Sequence, residues 1–149
     1  MIKGRSQVSE QAQAEHRADV ALAATFDDLL TAARDAEQAF RQAQAVAAPV
    51  AELYPLARKL DSALTDAMRA AYAAERAEIG PRGYDDRIYR RKAKATPAVH
   101  ARTDEAERLL TMRETHRLTG IPPRPGSAAV PAADRAAGSN EAGFRVPAA

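Results

Sequence analysis

The chain has no cysteine and no tryptophan among its 149 residues. Disulfides, thiolate nucleophiles and cysteine-ligated zinc are thereby excluded. Aromatic residues amount to only 5%, so the large rings that dominate most cores are scarce. β-Branched residues are few and scattered, and no run of roughly four to eight residues alternates as a half-buried strand would. Nor does any run approach the ~20 apolar residues needed to span a bilayer. Met1–Gln7 lacks the apolar stretch of a signal peptide. These absences predict a soluble, all-α protein, cytoplasmic or incorporated into a virion, with no membrane partner.

The signatures of enzymatic chemistry are missing as well. His16, His100 and His116 show no zinc-ligand spacing with one another or with a carboxylate. There is no nucleophile elbow and no glycine-rich phosphate loop. His16 reads as exposed, and His116 as a cation favoured in the last turn of a helix. Asp85-Asp86 reads as a helix cap rather than a metal site, and Glu75 and Glu78 as surface acids one turn apart. Few polar residues interrupt the apolar stripes described below; Glu15 and Asp19 do so where the stripe is already failing. The sequence therefore predicts no catalytic residue, no metal, no cofactor and no small-molecule substrate.

What the chain does have is alanine, roughly a quarter of its residues, several times ordinary usage. Alanine is the best helix former because it loses no side-chain entropy on ordering. It also buries little apolar surface, so each helix gains little from packing and must pack closely or add a partner's surface. Alanine, arginine, glycine and proline all have GC-rich codons, which points to a high-GC bacterial or phage genome.

Leu22, Phe26, Leu29, Ala33, Ala36, Phe40, Ala43 and Ala47 step by four and three, the seam of a heptad helix. Ser6 or Ser9 is the expected N-cap, and Pro49 ends or kinks this helix. Leu53, Ala57, Leu60, Leu64, Ala67, Ala71 and Ala74 continue with the same steps in a second helix, which Gly80-Pro81 stops. Two consecutive heptad-patterned helices with a short connection predict a long, coiled-coil-like antiparallel hairpin. Its assembly seam is Leu22, Phe26, Leu29, Phe40, Leu53, Leu60 and Leu64. Gly80-Pro81-Arg82-Gly83 is a turn. Asp85 or Asp86 caps a short helix, and Thr96-Pro97 starts another.

The expected organisation is thus a flexible N-terminus over 1–8 and a helical domain over 9–118. Its helices fall at about 9–48, 53–79, 86–95 and 97–118. A disordered or extended tail follows over 119–149, which holds four of the seven glycines and five of the nine prolines. Pro122-Pro123-Arg124-Pro125 within it reads as a stiff exit from the last helix.

Charge is unevenly placed. The segment 6–48 carries seven acids and three arginines, whereas 82–102 carries seven bases and two acids. The bases are Arg82, Arg87, Arg90, Arg91, Lys92, Lys94 and Arg102. One reading lays this basic joint against the acidic first helix; another sets Arg87, Arg90, Arg91 and Lys94 on one helical face against phosphates, with Tyr84 and Tyr89 interleaved. The expectation is a non-enzymatic structural or adaptor protein, a phage or high-GC bacterial component, acting through a protein partner or homo-oligomer. The alternative is a small nucleic-acid-binding protein using the 82–102 segment.

Overall fold

The computed structural model describes residues 7–127. The helices are α1 (Glu10–Ala23), α2 (Phe26–Ala45), α3 (Val50–Ile79), α4 (Arg82–Asp85), α5 (Arg87–Lys94) and α6 (Pro97–Thr115), and a π-helical turn, His116–Gly120, continues α6. No strand occurs among the described residues. The expectations for 1–6 and 128–149 lie outside them.

The first helix is two helices, not one. Ser9 caps α1 as expected, its hydroxyl accepting from the Ala12 amide at 3.1 Å. At the other end, Thr25 donates both its amide (3.1 Å) and its hydroxyl (2.7 Å) to the Leu22 carbonyl. This back-bonding tightens the chain out of α geometry, and the stripe changes phase across the break. Ala12, His16, Asp19 and Ala23 of α1 are buried or half-buried, whereas Leu22, expected in the seam, is 37% exposed. Beyond the break Phe26, Ala33, Ala36 and Phe40 are buried and Leu29 is half-buried.

α2 ends in a Schellman arrangement: Ala47 N–H donates to Gln44 O and Ala48 N–H to Ala43 O, both at 3.0 Å. Ala47, expected in the seam, is the left-handed residue of that cap, at φ 51°, and is exposed. α3 then starts at Val50, three residues before its expected onset. Glu52 and Leu53 amides bond the Pro49 carbonyl at 2.9 and 3.0 Å, which establishes the helix ahead of Pro55. Pro55 therefore lies inside α3. It is exposed, as is Ala51, so the carbonyl deprived of its partner faces water.

Gly80, at φ 95°, ends α3. The turn after it contains the unforeseen short helix α4, where a Cβ on Gly83 would collide with the Ile79 side chain. Asp86 caps α5 through the Tyr89 amide at 2.9 Å. Thr96 precedes α6, but its hydroxyl turns back to Ala93 O at 2.7 Å rather than capping the helix. The helix expected to stop at 118 runs to Gly120, and Ile121 packs against the core. Past it, Gly126 at φ 83° closes a turn from Ser127 N–H to Arg124 O at 3.1 Å.

α3 is the longest helix, at 30 residues, and α1, α2 and α6 all pack along it. Ser9 meets Asp85, His16 meets Ala77 and Asp19 meets Arg76, so α1 runs opposite to α3. Arg113 meets Thr65 and Arg117 meets Asp61, so α6 does the same. Burial on α3 accordingly extends beyond one seam. Ala57, Leu60, Leu64, Ala67 and Ala71 of the expected stripe are buried, Leu53 is half-buried, and Ala70, Ala73, Asp61 and Glu75 are buried besides. Phe26 and Phe40 of α2 and Leu109 of α6 close the core against Leu60 and Leu64.

Because Phe40 is buried and Leu22 is not, the two truncations should separate. Phe40→Ala should lower stability by ~3–5 kcal/mol and Leu22→Ala by well under ~1 kcal/mol. Urea unfolding followed by circular dichroism measures both; equal losses would restore the unbroken seam.

Candidate functional site

α2 and α6 both rest on α3, and α3 is the principal packing partner of each. A groove is left between them. Its floor is Leu60 and Leu64 of α3 and its walls are Glu37, Phe40, Arg41 and Gln44 on one side and Thr111, Met112 and Thr115 on the other, enclosing about 440 Å³. A second section of about 250 Å³ continues it between Phe26, Leu30 and Arg34 of α2 and Glu105, Arg108 and Leu109 of α6. Glu37, Leu64 and Met112 line both sections. The groove is apolar below and charged at its lips. One lip pair, Glu37 and Arg41, is bridged at 2.6 Å.

His116 closes the end of the groove. It is buried at the helix end. Its Nε2–H donates to Ala57 O at 2.8 Å, and its ring stands edge-on to Phe40 with centroids 5.6 Å apart. A Cβ at Gly120 would strike the imidazole, so glycine there lets the π-helical turn close over the ring. Beside it Arg117 forks onto the buried Asp61, at 2.6 and 3.2 Å, and Arg113 donates to Thr65 Oγ1 at 2.9 Å. The Arg117 bond holds the Asp61 carboxyl below its ordinary range despite the opposing effect of burial.

At the other end of α3, Asp19 accepts Arg76 in a fork of 2.7 and 2.9 Å and the Tyr84 hydroxyl as well. Burial pushes the Asp19 carboxyl up, but the bonds from Arg76 and Tyr84 outweigh it and the net position is lowered. Burial and the bond to Asp19 hold the Tyr84 phenol up. His16 is half-buried rather than exposed: its Nε2–H donates to Ala77 O at 3.2 Å, and its ring meets Tyr84 edge-on. These bonds dock α1 onto α3 where the seam offers polar residues in place of leucine. The Asp19 and Asp61 clusters are therefore tie points. Each carboxylate is consumed by an arginine, and no group of three metal-ligating side chains occurs among the described residues.

Glu75 departs furthest from its expected role. Its side chain is 5% exposed, Lys94 Nζ reaches Oε1 at 3.3 Å, and Oε2 has no partner. The same bond draws Lys94 away from the basic face predicted for it. Arg82 is likewise engaged, bridging Asp86 at 3.1 Å and lying 4.7 Å over the Tyr89 ring. Arg102 stands on α6 beside Glu105, at 3.9 Å. Arg87, Arg90, Arg91 and Lys92 form no ion pair among the described residues, and no base of the joint pairs with an acid of α1 or α2. Within the described residues no ion pair matches the joint to the first helix, although Tyr84 and Asp85 of the joint bond Asp19 and Ser9; α1 spends Asp19 on Arg76 of α3 instead.

No helix among the described residues is long and apolar enough to cross a membrane. No family model, curated protein or solved structure matches the chain.

The Asp61 tie makes stability pH-dependent in a fixed direction. A carboxyl held down in the fold stabilises it fully above the ordinary value of 3.8 and loses that contribution as pH falls through the lowered one. Asp61→Asn should therefore be less stable than the parent at pH 7, and the gap should narrow on acidification below about pH 4. Urea midpoints measured across that range check it; a gap independent of pH would rule the tie out.

Proposed function

We propose that the chain is a non-enzymatic helical assembly protein whose α2–α6 groove receives a helix from a second copy. The observation that carries this reading is a lengthwise apolar groove over Leu60 and Leu64, with Met112, 40% exposed, on its lip. α2, α3 and α6 leave one side of their shared core roofed only by side chains.

The favoured occupant is another copy because the alanine-rich core gains little area per residue, and the same faces meeting across a two-fold axis would extend it without a new sequence. The lips carry both signs, with Arg34 and Arg108 beside Glu37 and Glu105, which suits a self-complementary contact. The long antiparallel hairpin, coiled-coil-like in its heptad spacing, is the frame of this reading; the counter-running contacts of α1 with α3 support it. The codon bias of the composition fits an adaptor or structural component of a high-GC bacterium or its phage.

Light scattering across a concentration series tests the assembly. The parent should reach at least a dimer, and Met112→Arg should shift the mass to monomer with the helical dichroism intact, because a charge cannot enter an apolar seam without a partner. A parent that stays monomeric at every concentration removes the reading.

A further inference from the structure

The groove and the ion-paired clusters leave the outward face of α5 unused. Arg87, Ile88, Arg91 and Lys92 line one open surface together, as their spacing of one, three and four residues on a helix requires. No residue of α5 is buried. Ile88 is 70% exposed. The two acids of the joint are already engaged: Asp85 takes the amide and hydroxyl of Ser9 at 2.7 and 2.9 Å, and Asp86 takes the Tyr89 amide and Arg82. Lys94 faces the other way, onto Glu75. The folding of the joint thus sorts its charges. The acids, Arg82 and Lys94 are paired, Arg90 stands unpaired outside this lining, and three cations share the open face with one exposed isoleucine.

We propose that this face contacts the phosphate backbone of duplex DNA, independently of the groove. Guanidinium forks match phosphate oxygens in a bidentate way that an ammonium cannot, and two of the three cations are arginine. A membrane surface fits less well, since an interfacial helix needs an apolar face and this one has a single large apolar residue. Double-stranded RNA also fits less well, because its major groove is deep and narrow. The B-DNA groove is about 12 Å wide and admits a helix. Uncovered on its outer side, α5 can lie along that groove with Arg87 and Arg91 on the strand flanking it and Ile88 toward the base edges. The phosphate contacts carry no sequence information of their own.

The number of cations sets the measurable signature. Three neutralised phosphates give a slope of log affinity against log salt of about −2.7, so binding should weaken about 40-fold between ~50 and ~200 mM salt. The whole intact chain is titrated into a labelled mixed-sequence duplex, with fluorescence anisotropy as the readout. Arg87→Glu with Arg91→Glu should abolish binding while helical dichroism and mass stay unchanged, since both side chains are exposed. Arg58→Glu with Arg69→Glu, exposed on α3, makes the same change in net charge and should retain the steep slope. The proposal fails if the parent does not bind the duplex at the lower salt, or if both double variants lose binding equally. It also fails if duplex RNA or phosphatidylserine vesicles are bound in preference to DNA. A parent chain that assembles but does not bind the duplex would count against this face alone and leave the groove reading standing.

Discussion

Everything in this molecule leans on α3, and α3 serves as a spine because its buried residues are small. Ala57, Ala67, Ala70 and Ala73 are fully enclosed and Ala71 nearly so. Side chains of that size let neighbouring helices approach on more than one side, and dispersion contacts at short range then compensate for the little area each alanine buries. Larger residues enter only where a gap remains, as Leu60 and Leu64 do opposite Phe26, Phe40 and Leu109. The groove between α2 and α6 follows from the same geometry: both helices are drawn to α3 before they can be drawn to each other.

With so few large apolar side chains, orientation is set by polar ties. Asp19 with Arg76 and Tyr84 fixes α1; Asp61 with Arg117, and His116 with the Ala57 carbonyl, fix the end of α6. These bonds add directional constraint where alanine packing would allow sliding. A carboxylate removed from water and bonded by an arginine fork is costly to strand, so each tie specifies one register of helix on helix. Glu75 with Lys94 performs a similar service for α5 and leaves one oxygen unsatisfied.

Helix content was readable from alanine usage and from the four-and-three steps of the apolar residues, and Gly80, Ser9 and Asp86 marked ends because their cap chemistry is local. The break at Thr25 was not readable, since it depends on a hydroxyl choosing the Leu22 carbonyl over solvent. Nor was the two-sided burial of α3, because a heptad stripe describes one neighbour and α6 supplies a second. Glu75 looked like a surface residue for the same reason: its face of α3 is exposed in a two-helix hairpin and covered once further helices arrive. Of the seven bases in the joint, charge counting could not tell Lys94 and Arg82, which are engaged, from Arg87 and Arg91, which are not. Spacing gives the face of a helix but not what lies against it.

The dependence on small residues in α3 is tested most directly by filling one of its enclosed positions. Thermal unfolding of Ala70→Leu, followed by circular dichroism, should show a marked drop in midpoint, corresponding to roughly 1–3 kcal/mol or more of overpacking. An unchanged or raised midpoint would mean that α3 has room on that side, and that the close approach of its neighbours is not what holds the molecule together.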